Sequence, residues 1–234
     1  MPKRKDPHKR RGLGADRRAT VDRVLEQRQP DLTVLAEALH KPRNFSAIIR
    51  TCDAVGINEV HAVPGADGVA VHWNTSQGAE KWVRVRRHEN LAVACAHLHD
   101  AGYQLIAAHL SDAAVDYREI DYTRPTALMV GTELWGVSEA ALTVADREIV
   151  IPMKGMTQSL NVSVACAIVL YEALRQRDAA GLYAARRLRG DTYERQRFEW
   201  LHPGVARFCR ERGLDYPDLD AAGRIIGSFP RGGA

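Results

Sequence analysis

Short apolar runs alternate with longer stretches of helical spacing along this chain. The runs that predict strands are Leu32–Leu35, Glu59–Val63, Trp82–Arg86, Leu105–Ala108, Thr126–Val130 and Glu148–Ile151. The stretches that predict helices are Val21–Arg28, the segment between Pro42 and Gly56, Leu91–His99, Ser138–Leu142 and Leu160–Leu174. Strands that alternate with helices every ~20 to 25 residues predict an α/β fold, with a mostly parallel sheet and helices on both faces.

Short polar residues mark the positions at which several of these helices can begin. Their side chains accept hydrogen bonds from the free backbone N–H groups of the first helical turn. The candidate caps are Thr20, Asn44 or Ser46, Asn90, Ser138 and Ser159. The first 19 residues contain two basic clusters and few apolar side chains, so we expect them to be flexible.

Two polar loops that follow predicted strands are candidates for a ligand site. The last predicted strand is followed by Pro152, which lacks a backbone N–H, and by a polar loop that reaches Asn161. The strand before it is followed by the loop Gly131–Gly136. Both loops would lie at the carboxyl edge of a parallel sheet, where ligands bind. A loop that only joins a strand to a helix, with Ser159 as its cap, fits the same pattern.

The composition is that of a globular protein in a reducing compartment. Of the 234 residues, 45% are hydrophobic, and no run approaches the ~18 apolar residues of a membrane span. The basic N-terminus has no apolar segment behind it, so we do not expect a secretory signal. The four cysteines are far apart and form no C-x-x-C pair, so we expect no metal site at them. Cys52, Cys95 and Cys166 lie in apolar helical patterns, which predicts buried thiols in a reducing cytoplasm.

Positive charge is concentrated towards the two ends of the chain. Residues 1–28 hold ten Lys and Arg against four Asp and Glu, and residues 175–212 hold ten Arg against five acidic residues. Residues 29–174 between them carry a net charge of −6. Two basic arms around an acidic centre predict binding to a polyanion such as nucleic acid. The alternative is that each charged run only solvates a flexible end.

The common nucleotide-binding and catalytic motifs are absent from the sequence. It contains no G-x-G-x-x-G fingerprint, no Walker A pattern, no nucleophile elbow and no histidine pair that predicts a metal site. A ligand at the two loops must therefore be held by a different arrangement of residues.

Three segments resemble the motifs of a known family. They read N-F-S-A-I-I-R-T at 44–51, L-M-V-G-T-E-L-W-G at 128–136, and I-P-M followed by S-L-N-V-S within 151–163. In this order and spacing they resemble the SpoU/TrmH family of the SPOUT superfamily, over about residues 20–178. The segments that resemble the branch acting on tRNA are Gln27–Val34, His40–Asn44, Ala108–Ser111, Tyr122–Pro125, Trp200–Pro203 and Gly213–Pro217.

This resemblance implies an enzyme that uses S-adenosylmethionine to methylate the ribose 2′-hydroxyl of guanosine 18 in the D-loop of tRNA. It also implies a C-terminal trefoil knot and a homodimer. We expect a basic N-terminal arm and helix at 1–30, a SPOUT methyltransferase domain at 31–178 and a basic, helical, RNA-binding extension at 179–234. The alternatives are 2′-O-methylation of ribosomal RNA or of another tRNA position, and RNA binding without catalysis.

The resemblance also assigns expected roles to individual residues. Those expected to bind the cofactor, largely through backbone groups, are Ala108, Gly131, Ile151, Met153 and Leu160. Those expected at the reaction are Arg50, Asn44, Glu133, Ser159 and Asn161. Those expected to contact RNA are Arg10, Arg11, Arg17, Arg18, Lys41, Arg43, Arg186, Arg187 and Arg195.

Two roles are open for Arg50, which the resemblance places near the reacting hydroxyl. That hydroxyl must lose its proton, and a general base typically contributes ~10²–10⁴-fold to such a step. A guanidinium is a poor base because its pKa lies above about 12. Arg50 therefore either accepts the proton with strong local help or stabilises the negative charge that develops on the oxygen.

Overall fold

The computed structural model describes residues 15–39, 41–64, 81–132 and 135–227. The chain forms two compact units. Arg28–Arg187 make the larger unit, and Met1–Gln27 together with Leu188–Ala234 make the smaller one.

A parallel β-sheet forms the centre of the larger unit. In the described part of the chain its strands are β1 (Leu32–Glu37), β2 (Glu59–Val63), β3 (Arg84–Arg87), β4 (Gln104–Ala108), β5 (Val115–Asp116), β6 (Thr126–Val130) and β7 (Arg147–Val150). These strands lie in the order β3-β2-β1-β6-β4-β7-β5, and each described pair is parallel. The predicted parallel sheet is confirmed.

Helices cover both faces of this sheet. In chain order, α1 (Ala15–Glu26) belongs to the smaller unit. The helices of the larger unit, which pack on the sheet, are α2 (Pro42–Ala54), α3 (Leu91–Asp100), α4 (Glu139–Val144) and α5 (Val162–Ala179). The smaller unit also contains α6 (Gly190–Leu201) and α7 (Pro203–Arg212). Alternate residues of a strand point to opposite faces. Leu32 and Val34 of β1 belong to the core that includes α2 and α5, whereas Leu35 belongs to the core that includes α3 and α4. The predicted two-sided arrangement is therefore confirmed.

Two of the predicted helix caps are confirmed by hydrogen bonds. The Asn90 side chain accepts a hydrogen bond from the backbone N–H of Val93 (3.0 Å), and α3 begins directly after it. The Ser138 hydroxyl accepts one from the N–H of Ala141 (3.2 Å) at the start of α4.

Two other predicted caps are wrong. α2 begins after Lys41, with Pro42 in its first turn, so Asn44 and Ser46 lie inside the helix. Proline suits this first position because its missing N–H has no helical partner there. α5 is capped by Asn161 instead of Ser159.

The N-terminal helix is longer than its pattern predicts. α1 starts at Ala15, so Thr20 lies within it, and the prediction that the first 19 residues are flexible is wrong for 15–19. Residues 1–14 lie outside the described ranges. Within the smaller unit, Leu25 is fully buried and Asp22 forms an ion pair with Arg197 of α6 at 2.6 Å. The helix is stabilised by packing that local sequence does not reveal.

Smaller differences concern strand ends. β3 begins at Arg84 instead of Trp82, and β7 spans Arg147–Val150 instead of Glu148–Ile151. The short β5 was not predicted; it pairs with β7 through two residues, Val115 and Asp116. A two-residue strand has no sequence period, so only its pairing defines it.

Candidate active site

Three loops that follow neighbouring strands enclose a cavity. Strands β6, β4 and β7 lie side by side and run parallel, so their following loops meet at one edge of the sheet. The cavity has a volume of about 770 Å³, which lies within the usual range of roughly 300–1,000 Å³ for small-molecule sites. Its lining at the end of β4 is Ala108, followed by His109 and Leu110. After β6 the lining residues are Gly131, Thr132, Trp135 and Gly136, and after β7 they are Ile151, Met153, Gly155, Thr157, Gln158, Ser159 and Leu160.

The loop after β6 is folded so tightly that residue 131 must be glycine. A Cβ atom on Gly131 would lie 1.9 Å from the carbonyl oxygen of Gly136. Thr132 and Gly136 exchange two backbone hydrogen bonds, of 2.8 and 3.0 Å, which close the turn. The Thr132 hydroxyl also accepts a hydrogen bond from the N–H of Trp135 at 3.0 Å. The turn therefore brings its backbone close to this wall of the cavity, which Thr132 and Trp135 also line.

The loop after β7 offers backbone groups to a ligand. Among the described residues, the backbone N–H groups from Met153 to Leu160 donate to no backbone carbonyl. Residues 154–159 are exposed, so these N–H groups can bond to water or to a ligand in the cavity. All five residues expected to bind the cofactor line this cavity, and so does Ser159.

Asn44 and Asn161 are brought together across two helices. The Asn161 side-chain N–H donates to the Asn44 side-chain oxygen at 3.2 Å. The oxygen of Asn161 accepts hydrogen bonds from the backbone N–H and hydroxyl of Ser163, at 2.9 and 2.6 Å. Asn161 thus caps α5 and ties its first turn to α2, while Asn44 itself is buried.

Arg50 is exposed on α2 and is not among the residues that line the cavity. No hydrogen bond or ion pair joins its side chain to another residue of the described ranges. Its guanidinium is therefore accessible to an external anion. Glu133 lies outside the described residues, so the structure does not place it.

The residues expected to contact RNA differ in their surroundings. Arg10 and Arg11 lie outside the described residues, and those with exposed side chains are Lys41, Arg43, Arg186 and Arg195. Arg17 donates to the backbone carbonyl of Trp200 (2.7 Å), and Arg18 to that of Ala221 (2.5 Å). Arg187 forms an ion pair with Asp31 at 2.6 Å.

Several arginines of the basic arms have internal roles that sequence reasoning missed. Arg177 is fully buried, pairs with Asp31 at 2.7 Å, and donates to the carbonyls of Tyr122 and Arg124 at 2.8 and 3.0 Å. Arg28 is also fully buried and donates to the Asp53 carboxylate at 2.6 Å. These side chains hold the larger unit together and are not available to a ligand.

Two cavity residues were also missed. His109 and Trp135 both line the cavity, and the Trp135 side chain is 81% exposed. The available signal was that His109 directly follows a predicted strand and Trp135 lies in the loop after another, because such residues face the carboxyl edge of the sheet.

Neither a metal centre nor a reactive thiol is found in the described part of the chain. Its His, Cys, Asp and Glu residues form no group that could hold a metal ion. All four cysteines are buried and free. Burial raises the pKa of Cys166 to about 12 and that of Cys95 to about 11, so both remain neutral thiols. Among the described helices, none is both long and apolar enough to span a membrane.

Comparison with known proteins assigns this architecture to a class. The model described as "SpoU rRNA Methylase family" matches residues 31–171, and that described as "SpoU, rRNA methylase, C-terminal" matches residues 175–228. The chain belongs to the SpoU rRNA methylase family. It is 49% identical over 215 residues to the tRNA (guanosine(18)-2'-O)-methyltransferase of Escherichia coli, a match that covers 91% of this chain and 94% of that protein.

Solved structures show the same fold. The A. aeolicus TrmH/SpoU tRNA modifying enzyme matches with a TM-score of 0.74 and 42% identity, over 81% of this chain and 97% of that one. The SpoU methyltransferase AviRb from Streptomyces viridochromogenes, in complex with the cofactor AdoMet, matches with a TM-score of 0.57 and 27% identity, over 66% of this chain and 62% of that one.

Proposed function

We propose that this protein transfers a methyl group from S-adenosylmethionine to the ribose 2′-hydroxyl of guanosine 18 in tRNA. The observation that carries the proposal is the cavity at the ends of β4, β6 and β7, with the Gly131 turn as one wall. The name of the E. coli relative supports the substrate and the modified nucleotide. The AdoMet complex of AviRb supports the cofactor.

The cavity fits a ligand that has an apolar ring face and polar groups at its edges. Val130, Ile149, Val169 and the loop residues make much of its lining apolar, while the loop after β7 supplies free backbone N–H groups. Backbone groups at apolar strand ends suit an adenine and a ribose. Ala108, Gly131, Ile151, Met153 and Leu160 would hold the cofactor here. When bound, S-adenosylmethionine supplies an electrophilic methyl group on a sulfonium sulfur.

Arg50 is the proposed residue at the reacting ribose. Its exposed guanidinium bonds to no described residue and can pair with the phosphate of the target nucleotide. From there it either accepts the proton of the 2′-hydroxyl or stabilises the charge on its oxygen. Asn44 and Asn161 fix the relation of α2, which carries Arg50, to the start of α5. For Ser159, in the cavity wall, and for Glu133 the proposed role is to orient Arg50 and the nucleotide.

The phosphate backbone of the tRNA is the proposed partner of the exposed basic residues. Lys41 and Arg43 lie at the start of the helix that carries Arg50, so they extend positive charge from that residue. Arg186 and Arg195 are exposed members of the C-terminal basic arm. Such contacts provide affinity and position but little sequence choice. Guanosine 18 is then selected by the shape of the tRNA and its exposed loop.

A homodimer is also proposed, since one face of α5 is apolar and uncovered. Val164 and Tyr171 lie two turns apart on it and are 47% and 54% exposed, with Ile168 half-buried between them. An apolar stripe of this kind is typical of a helix that packs against a partner. We expect Tyr171→Glu to convert a dimer into a monomer in light scattering. A monomeric parent would contradict the dimer.

The trefoil knot, the domain boundaries at residues 30 and 178 and a cytoplasmic location stay predictions.

The decisive experiment maps the labelled nucleotide. The protein is incubated with radiolabelled S-adenosylmethionine and unmodified tRNA, and the position of the label is determined by nuclease digestion. We expect label on the ribose of guanosine 18. A tRNA that already carries 2′-O-methylguanosine at that position is the matched control and should remain unlabelled. Label at another position, or label on ribosomal RNA alone, would contradict the proposed substrate.

A further inference from the structure

His109 is distinctive within the cavity because its side chain is ionisable. Among the described residues that line it, His109 is the one with an ionisable side chain. The other described lining residues are apolar, are glycines, or carry the uncharged polar groups of Thr132, Thr157, Gln158 and Ser159. An anionic group of a bound ligand would therefore have His109 as its one ionisable partner among the described lining residues.

His109 is positioned by its backbone and by the turn after β6. The backbone N–H of His109 donates to the carbonyl of Ile149 at 3.1 Å, which fixes the residue between β4 and β7. Its Nδ1 atom lies 3.8 Å from the point where a Cβ on Gly136 would sit, so the ring lies against the turn after β6. Gly136 also has a φ of 68°, which favours glycine at this position.

We propose that His109 holds the carboxylate of the amino-acid part of S-adenosylmethionine. This inference rests on the proposed function. The cofactor carries one anionic group, and a carboxylate placed in a largely apolar cavity requires a hydrogen-bond donor. An imidazole N–H supplies that donor, and a protonated imidazole adds an opposite charge. His109 is thus a positioning residue for the donor and takes no part in bond making.

Ligands with and without the amino-acid part provide the test. Isothermal titration measures the affinities of S-adenosylmethionine, S-adenosylhomocysteine and 5′-methylthioadenosine, of which the last lacks the whole amino-acid part, including the carboxylate. For His109→Ala we expect affinity for the first two to fall by about tenfold or more, as for the loss of a charge-assisted hydrogen bond. Affinity for 5′-methylthioadenosine should change by less than about twofold.

Two further variants sharpen the comparison. His109→Gln keeps an N–H donor and should recover part of the lost affinity for S-adenosylmethionine. Asp112→Asn removes a charge from the same loop at an exposed residue outside the cavity lining, and should leave all three affinities unchanged. Retained binding of 5′-methylthioadenosine also shows that each variant is folded.

The outcomes separate this inference from the proposed function. If His109→Ala loses affinity equally for all three ligands, His109 only shapes the cavity. If its affinities are unchanged, His109 does not contact the carboxylate. A lower kcat at unchanged S-adenosylmethionine affinity would show that His109 acts on the reaction and does not hold the carboxylate. Each of these results overturns the inference while the proposed function stands. If the unmodified protein binds none of the ligands, the proposed function itself fails.

Discussion

Arg50 lies exposed on α2 and makes no ion pair within the described residues, although most arginines with described contacts in this chain pair with a carboxylate. A charge kept free in this way can act on a substrate. We predict that Arg50→Ala lowers the methylation rate by about 10²-fold or more, the usual effect of removing a group that stabilises developing charge. S-adenosylmethionine binding should persist, because Arg50 does not line the cavity.

The matched control for Arg50 is another exposed arginine. Arg118 lies on the larger unit and pairs with Asp116, and it has no proposed role in binding. We expect Arg118→Ala to methylate tRNA at the parent rate in the same single-turnover assay. Near-parent activity of Arg50→Ala would contradict the role assigned to that residue.

Gly131 allows a sharper prediction about the cavity wall. A methyl group there would overlap the Gly136 carbonyl at 1.9 Å, and backbone cannot move aside as a flexible side chain can. We predict that Gly131→Ala weakens S-adenosylmethionine binding by about tenfold or more and lowers the melting temperature. Gly204→Ala is the control, since a Cβ on Gly204 meets nothing within 4 Å. Gly204→Ala should bind the cofactor normally. Equal losses of cofactor affinity in both variants would contradict an effect specific to the overlap with the Gly136 carbonyl.

At the scale of elements, the start of α5 combines a structural and a proposed functional role. Asn161 caps this helix and also bonds to Asn44 of α2. We predict that Asn161→Ala lowers the free energy of unfolding by about 0.5–2 kcal/mol, as is usual for the loss of a cap. It should also reduce methylation well beyond the effect of that instability, because α2 carries Arg50.

Asn90 provides the control for this comparison. It caps α3 with the same chemistry, and it does not line the cavity. Urea unfolding should show similar decreases in the free energy of unfolding for Asn90→Ala and Asn161→Ala. At a temperature where both variants are folded, only Asn161→Ala should lose methylation activity. Equal activities would show that Asn161 serves only as a cap.

The elements also show how far local sequence predicts this structure. The apolar run Thr126–Val130 and the cap Asn90 were predicted correctly, because each depends on neighbouring residues alone. The loops after β6 and β7 were predicted as a ligand site from the parallel topology. Arg177 was assigned to a basic arm, since its partner Asp31 lies 146 residues away. The start of α1 was missed for the same reason, because packing within the smaller unit stabilises it.

At the scale of the whole molecule, stability depends on a buried histidine. His61 is 3% exposed and bonds through Nδ1 to Nε2 of His88 at 2.8 Å. Burial lowers its pKa from 6.5 to about 4; Glu59 opposes this change, while His88, His97 and Arg86 add to it. His61 therefore binds a proton more readily in the unfolded chain than in the folded one. As a result, folding stability falls as the pH drops from about 6.5 to about 4.

The lowered pKa of His61 also sets the expected size of this effect. A tenfold difference in proton affinity between the folded and unfolded chain corresponds to ~1.36 kcal/mol, so we predict that His61 costs about 3 kcal/mol of stability between about pH 6.5 and about pH 4. Urea unfolding across this range should show a shallower pH dependence for His61→Asn than for the parent. Identical pH dependences would show that His61 is protonated equally in both states.

Several arginines of the basic arms bond within the protein, so the charge left for the proposed RNA binding is smaller than the composition suggests. Arg17, Arg28, Arg177, Arg187 and Arg197 all bond to partners within their own unit. Arg186 and Arg195 have exposed side chains that a phosphate can reach, although Arg195 also lies 3.4 Å from the Glu199 carboxylate. Their exposure makes them the residues to test. We predict that replacing each by Gln weakens tRNA binding at low salt and reduces the slope of log affinity against log salt concentration by about 1 per arginine. Arg118→Gln should change neither quantity. If the slope is unchanged in the Arg186→Gln and Arg195→Gln variants, these side chains only solvate the surface, and the phosphate contacts belong to other residues.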